Sequence, residues 1–176
     1  MRLSPFVLAC SLLGPVAGCS SHSSDERVEG AGNAITGDAA PARATATLKF
    51  TPQLVLEKVL ERKNRPFDAQ KPMPEIRYES RVTLAEFQDA LESQWGMRPS
   101  VFTNAYSVTQ NVIYLIDDAS YYERLGRFID DSLAHELTHY VQVVYQGWQL
   151  DPHDDSIEMD AIDVQTWFRE TFCRTP

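Results

Sequence analysis

The chain has 176 residues, of which 43% are hydrophobic, 10% aromatic and 23% charged. This composition is close to the average for globular domains and argues against a fully disordered, collagen-like or coiled-coil protein. The net charge of −9 argues against a nucleic-acid-binding protein, because such proteins usually present a basic face.

A short apolar stretch, residues 6–13, follows the single charge of Arg2 near the N-terminus. The stretch is too short to span a bilayer, and small residues follow it, as in a secretory signal peptide. It leads into Val-Ala-Gly-Cys at residues 16–19, which resembles a bacterial lipobox. The resemblance implies that residues 1–18 are a signal peptide and that Cys19 is lipidated. The alternative is an ordinary signal peptide cut nearby, with Cys19 as a free thiol.

A lipidated Cys19 would anchor the exported protein to the bacterial cell envelope. Neither Ser20 nor Ser21 is the Asp that, by resemblance to bacterial lipoproteins, would retain the protein at the inner membrane, so we expect the outer membrane. The remainder of segment 19–46 is rich in Ser, Gly, Ala and Thr and nearly lacks large apolar residues, which predicts a disordered tether. Residues 47–176 then form one folded domain.

Helix-capping signals and hydrophobic periodicity predict an α+β domain. Thr51 followed by Pro52 marks one helix start, a capping box at residues 83–86 marks another, and Gly96 marks a helix end. The predicted elements in chain order are a helix at 52–64, a strand at 75–79, a helix at 84–95, strands at 100–107 and 112–116, and helices at 130–146 and 156–172.

The acidic residues are concentrated in the C-terminal part of the chain, residues 117–170, whereas residues 48–116 are nearly neutral. Most of these acids read as a solvated surface. A region of this sign attracts cations, metal ions included, and repels anionic substrates.

The predicted helix at 130–146 contains the motif H-E-x-x-H at residues 135–139. At about 100° per residue, His135 and His139 share one face of the helix with Gln142, opposite an apolar face that would pack on the core. Two histidines at positions i and i+4 can bind one metal ion. Two unrelated surface histidines are the alternative, but they would not explain the complete motif.

Two imidazoles and one carboxylate suit Zn²⁺ and leave a fourth position for water. Glu136 points about 100° away from His135, towards the side where that water would lie. It could accept a proton from the water once the metal has lowered the water's pKa to roughly 7. Glu136 is therefore the predicted general base, and one Zn²⁺ per chain is the predicted cofactor.

With these residues, the chain resembles the zincin metallopeptidases over roughly residues 100–172. It departs from metzincins, which have Gly and His where Gln142 and Tyr145 stand. It is closer to gluzincins, which take a Glu ligand from a following helix, and residues 158–161 resemble their E-x-x-A pattern. The resemblance implies a minimal zincin-like fold, a small sheet packed on the motif helix and a following ligand helix, with Glu158 as the third ligand.

Other assignments around the site stay open at this stage. Helix amphipathicity does not choose between Glu158 and Asp160, and His153 could also be the third ligand. Many gluzincins have an Asp four residues after the ligating Glu to orient a histidine, but Ile162 stands there in this chain. Gln142, Gln165 and His153 are therefore candidates for orienting a ligand or stabilising the oxyanion.

The expected function is hydrolysis of peptide bonds outside the cytoplasm by attack of zinc-bound water, with a peptide or protein as substrate. In zincins the strand before the motif helix often pairs with substrate, and either predicted strand of the hairpin, 100–107 or 112–116, could be that edge. The alternative function is a non-catalytic envelope lipoprotein that has a structural or vestigial zinc site and acts by binding a partner.

Lipidation of Cys19 is directly testable in the full-length protein. We expect the mature protein to partition into detergent and to incorporate a labelled fatty acid, and we expect Cys19→Ala to lose both properties. A Cys19→Ala protein that remains bound to membranes would contradict the assignment.

Overall fold

The computed structural model describes residues 43–150 and 154–174. The predictions for the signal peptide, for Cys19, for His153 and for most of the tether lie outside these residues. The elements are α1 (Pro52–Arg62), β1 (Glu75–Tyr78), a short 3₁₀ helix (Glu79–Arg81), α2 (Leu84–Trp95), β2 (Ala105–Ser107), β3 (Val112–Leu115), α3 (Ala119–Leu125), α4 (Ile129–Val144), α5 (Asp155–Phe168) and a π-helical turn (Arg169–Cys173). The prediction of an α+β domain is confirmed.

The helix starts that the sequence predicts are formed by their capping side chains. Thr51 Oγ1 accepts a hydrogen bond from the backbone N–H of Leu54 at the start of α1. At the start of α2, Thr83 Oγ1 accepts from the N–H of Glu86, and the carboxylate of Glu86 accepts from the N–H of Thr83. Gly96 ends α2 with a φ of 68°, a conformation that residues with a Cβ rarely adopt.

The three strands form one small mixed sheet in the order β1-β3-β2. β1 pairs with β3 in parallel, so that Ile76 lies opposite Ile113, and β2 pairs with β3 in antiparallel, so that Tyr106 lies opposite Ile113. β3 is therefore the central strand and is buried along its whole length. β2 is an edge strand.

The structure differs from the sequence prediction around the β2–β3 hairpin. Residues 100–104 are not a strand, and at the end of this segment the side-chain oxygen of Asn104, rather than a backbone carbonyl, accepts the N–H of Ile116 at 2.8 Å. Helix α3 was not predicted, although its N-cap Asp118 and its C-cap Gly126 are ordinary helix signals.

Helix α4 occupies the centre of the domain and is buried for most of its length. It packs against α1, α5 and the strands β2 and β3. Its apolar face carries Leu133, Leu137 and Tyr140, none of which has measurable exposure. A helix so enclosed holds its polar face in a fixed position. Among the described residues, no helix combines the length and the apolar character needed to cross a membrane.

The chain just before α1 is attached to the domain by backbone hydrogen bonds. The N–H of Ala46 donates to the carbonyl of Asp117, and the N–H of Ala119 donates to the carbonyl of Ala44, both at 2.9 Å. Further along, the carboxylate of Asp130 accepts the N–H groups of Lys49 and Phe50. The sequence placed the domain start at residue 47, but these contacts begin three residues earlier.

We expect Asp130→Ala to destabilise the domain by about 1–3 kcal/mol, because two backbone N–H groups would lose their acceptor in a partly buried position. Urea denaturation of the metal-free domain, with Asp163→Ala as the control at an exposed acid, measures the difference. Equal midpoints for the two variants would contradict the anchoring role of Asp130.

Candidate metal centre

Helix α4 places both histidines of the motif on one face, with their rings 4.8 Å apart between centroids. The Nε2 atoms of His135 and His139 are 3.1 Å apart. Only 12% and 11% of the two side chains is exposed, so the helix and its neighbours hold both rings. The spacing of the motif alone accounts for this arrangement, since residues i and i+4 are neighbours on a helix.

Helix α5 brings Glu158 to the two histidines. Its Oε1 lies 3.0 Å from Nε2 of His135 and its Oε2 lies 3.3 Å from Nε2 of His139. One ligand atom from each of the three residues lies within 4.8 Å of the others, so the group could hold a metal ion. The Glu158 side chain is 57% exposed, and the centre is therefore open on its α5 side.

The three side chains form a charge-coupled cluster. Hydrogen bonds with His135 and His139 hold the pKa of Glu158 well below its usual range. Burial by itself would lower the pKa of His139, but its contact with Glu158 and the negative charges of Glu136 and Glu158 raise it above 6.5. A cation that binds here must displace the His139 proton, so cation affinity should fall as the pH falls through this raised pKa.

Glu136 lies beside the cluster without being part of it. The residue is 4% exposed. Burial raises the pKa of its carboxyl above 4.5, and the charges of His135 and His139 oppose this effect. The backbone N–H of Tyr106 on β2 also favours the ionised form. A carboxylate with a raised pKa binds a proton more readily than one in water.

Gln142 fixes the orientation of His139 by contacting Nδ1, the ring nitrogen on the side away from Glu158. It has no measurable exposure, and its Oε1 lies 2.9 Å from Nδ1 of His139. Its Nε2 donates to the carbonyl of Ile157 at 3.0 Å and to the carboxylate of Asp160 at 2.8 Å. Because both acceptors need the amide N–H groups, Oε1 must accept from His139. The proton of His139 is then on Nδ1, and Nε2 keeps a lone pair for a cation.

Asp160, an alternative third ligand in the sequence, has another position in the structure. Its carboxylate accepts from Gln142 and from Nζ of Lys63, which lies 2.6 Å away just after α1. This connects Lys63, Asp160, Gln142 and His139 in one chain of contacts. Lys63 gave no signal in the sequence, because a lysine at the end of an amphipathic helix is ordinarily solvated.

The remaining candidates lie elsewhere. Gln165 is 4% exposed and donates to Asp131 at 2.8 Å, and within the described residues no hydrogen bond joins it to a histidine. Asp163 is exposed on α5, as its helical position predicts. The alternative of His153 as a ligand or an oxyanion donor concerns a residue that the structure does not describe.

Two cavities border the cluster, and both are lined by its residues His135 and Glu158 and by the adjacent Glu136. We call the first the large pocket; its volume is about 400 Å³, and its other walls include Trp95, Tyr106, Leu150, Asp154, Asp155 and Ile157. We call the second the small polar pocket; its volume is about 170 Å³, and its other walls are Thr103, Asn104, Tyr121, Arg127, Ser132 and Gln165. The candidate metal centre thus lies between two pockets of different chemistry.

Comparison with known proteins finds nothing similar to this chain: no family model, no curated protein and no solved structure matches it. The function of the site is therefore inferred from the chemistry of its own residues.

We expect Gln142→Leu to weaken Zn²⁺ binding by roughly 10–100-fold, because His139 would lose the group that sets its proton and its ring angle. A competition titration against a chromophoric chelator measures the affinity. Gln53→Leu, a change on the exposed side of α1, is the control and should bind as the wild type does.

A charge swap tests the same contacts in a second way. Gln142→Glu alone places a carboxylate against Asp160, whereas the double variant Gln142→Glu/Asp160→Asn supplies an amide donor opposite the new carboxylate. We expect the double variant to bind Zn²⁺ more tightly than Gln142→Glu alone. If Gln142→Leu binds Zn²⁺ as well as the wild type, Gln142 does not position the ligand.

Proposed function

We propose that the chain is a zinc-dependent peptidase with a minimal zincin-like fold. The observation that carries the proposal is the convergence of His135, His139 and Glu158 beside the buried carboxylate of Glu136. His135, His139 and Glu158 would hold the metal, and Glu136 would act as general base. The central motif helix, the following helix α5 and the small sheet support the zincin-like fold.

The distances within the cluster suit zinc. Zn²⁺ binds imidazole nitrogens and carboxylate oxygens at about 2.0–2.2 Å in tetrahedral geometry, which places neighbouring ligand atoms roughly 3.3 Å apart. Nε2 of His135 and Nε2 of His139 are 3.1 Å apart, and they lie 3.0 and 3.3 Å from Oε1 and Oε2 of Glu158 respectively. Three protein ligands leave one tetrahedral position for water or substrate, as catalytic rather than structural zinc sites do.

Bound zinc would supply a Lewis acid that polarises a substrate carbonyl and lowers the pKa of water. Glu136 would accept the proton of the attacking water and later donate it to the leaving amine. Its burial raises the pKa of the carboxyl, which makes the carboxylate a better base.

A peptide is the substrate that the surroundings favour. Of the two hairpin strands, β2 lies at an edge of the sheet and β3 is paired on both sides, so of these two only β2 could pair with a substrate strand. Gln94 already occupies the outer edge of β2 at Tyr106, where its Nε2 donates to the Tyr106 carbonyl. The edge remains open before Tyr106, at Asn104, which lines both pockets.

The proposed enzyme would work outside the cytoplasm, attached to the outer membrane through lipidated Cys19. The support for this placement is the lipobox-like run at residues 16–19. The segment between Cys19 and Ala44, whose carbonyl accepts the N–H of Ala119, would let the domain reach substrates near the membrane surface.

Glu136→Gln separates an enzyme from a zinc-binding protein that cleaves nothing. The amide is nearly isosteric and cannot accept a proton, so we expect peptidase activity to fall by roughly 10²–10⁴-fold while Zn²⁺ remains bound. Cleavage of an unbiased peptide library, analysed by mass spectrometry with and without a chelator, measures the activity.

The metal ligands provide the matched variants for this test. His135→Ala, His139→Ala and Glu158→Ala should each lose Zn²⁺ and activity, and Asp163→Ala should lose neither. Zinc-loaded wild type that cleaves no peptide would favour the alternative, a lipoprotein that acts by binding a partner. Full activity in Glu136→Gln would show that the cleavage has another source.

A further inference from the structure

The two pockets beside the candidate metal centre differ in charge. Among the described residues, the large pocket is lined by Asp154 and Asp155 in addition to the residues of the centre, and by no Lys or Arg. The small polar pocket has one basic wall residue, Arg127, which lies between α3 and α4. Within the described residues, Arg127 makes no salt bridge, and its guanidinium has no hydrogen-bond partner. An unpaired guanidinium beside a cleft is available to an anionic ligand.

Tyr121 is the second donor on the wall of the small polar pocket. The hydroxyl groups of Tyr106, Tyr114 and Tyr122 are already engaged by partners within the fold. That of Tyr121 has no hydrogen-bond partner among the described residues. Arg127 and Tyr121 therefore offer charged and neutral donors to the same cavity.

Ser132 is a buried polar residue on the wall of the small polar pocket. The residue is 2% exposed and lines the pocket, yet its Oγ has no hydrogen-bond partner within the described residues. Nδ1 of His135, one turn further along α4, likewise has no hydrogen-bond partner within the described residues. Buried polar groups without partners are rare in native proteins, and an ordered water or a ligand usually satisfies them.

The course of β2 gives the direction of a bound peptide. The chain passes from Thr103, on the wall of the small polar pocket, to Tyr106, on the wall of the large pocket. A peptide that paired with this edge in antiparallel would run from the large pocket to the small one. Its C-terminal half would then lie at Arg127. The charges favour the same direction, because a peptide's amino end would lie near Asp154 and Asp155.

We propose that the small polar pocket binds a carboxylate on the C-terminal side of the scissile bond, held by Arg127 and Tyr121. The proposal rests on the peptidase function above and adds a substrate class to it. The carboxylate belongs either to an acidic side chain directly after the scissile bond or to the C-terminus of the peptide. The acidic surface of residues 117–170 would still repel a peptide with many negative charges. Arg127 would therefore favour one carboxylate at one position of the substrate, not an acidic peptide in general.

Bound metal would reduce the repulsion that such a carboxylate meets at the centre. A divalent cation bound with the single charge of Glu158 leaves the three-residue cluster positive. The negative charges that would remain near a carboxylate bound at Arg127 include those of Glu136 and Asp131. The volume of about 170 Å³ admits a side chain of the size of Asp or Glu but not a folded segment.

Cleavage-site profiling tests the proposal with zinc-loaded wild type, Arg127→Gln and Arg127→Glu. The substrates are matched peptides with glutamate, glutamine or lysine after the scissile bond, all amidated at the C-terminus. A neutral peptide that ends one residue after this bond, with a free or an amidated C-terminus, tests the second source of the carboxylate. Arg124→Glu is the matched control, because Arg124 lies on α3, donates to Ser120 and lines neither pocket.

We expect wild type to prefer the carboxylate-bearing peptides by roughly 10–100-fold in kcat/KM, the usual effect of a charge-assisted hydrogen bond. Arg127→Gln should remove the preference, Arg127→Glu should reverse it in favour of lysine, and Arg124→Glu should keep it. Preference for the glutamate peptides alone would assign the pocket to a side chain. Preference for the free C-terminus alone would assign it to the end of the chain. Equal ratios in wild type and both Arg127 variants would overturn the proposal.

A binding measurement separates this proposal from the peptidase function itself. Fluorescence anisotropy of the same peptides, now labelled, on zinc-loaded Glu136→Gln with and without Arg127→Gln reports affinity without turnover, and circular dichroism confirms that each variant is folded. If wild type cleaves no peptide, and the acidic peptides nevertheless bind in an Arg127-dependent way, the pocket proposal is supported and the peptidase function is contradicted. If wild type and the Arg127 variants cleave the peptides with the same preferences, or if no carboxylate-bearing peptide binds, the pocket proposal fails.

Discussion

The structure of the centre depends on one buried amide, that of Gln142. Its side chain joins α4 to α5 through the Ile157 carbonyl and the Asp160 carboxylate, and it sets the proton position of His139 at the same time. A buried amide without partners would cost about 1–3 kcal/mol, so α5 is held at the register that satisfies it. That register places Glu158, two residues before Asp160 on α5, against both imidazoles.

Two of the three acidic residues of α4 are buried with several hydrogen-bond partners each. Asp130 caps the backbone of the segment before α1, and Asp131 accepts from Gln165 and from the N–H of Phe128. Glu136 is the exception, because only the neighbouring histidines and one backbone N–H balance its burial. A buried carboxylate with so little support destabilises the fold, and such residues concentrate where function requires them.

The two pockets of the cleft differ in charge because different elements border them. α5 contributes acidic residues at its start, next to the large pocket, whereas the segment between α3 and α4 contributes Arg127 to the small polar pocket. β2 runs between the two and has its outer edge partly occupied by Gln94. The difference in charge between the two pockets would therefore orient a bound peptide along the cleft. Among the described residues of the domain, no second lobe is present that could orient the peptide instead.

The sequence by itself determined the local features: the helix caps at Thr51 and Thr83, the α+β class and the face that His135 and His139 share, because each depends on residues within a few positions of one another. It also favoured Glu158 as the third member by a family pattern, although helical amphipathicity could not choose between Glu158 and Asp160. The tertiary structure alone decided that Asp160 pairs with Lys63, that Gln142 connects two helices, and that Arg127 and Tyr121 meet beside the centre. These contacts join residues that are far apart along the chain, and no periodicity in the sequence records which helix faces will meet.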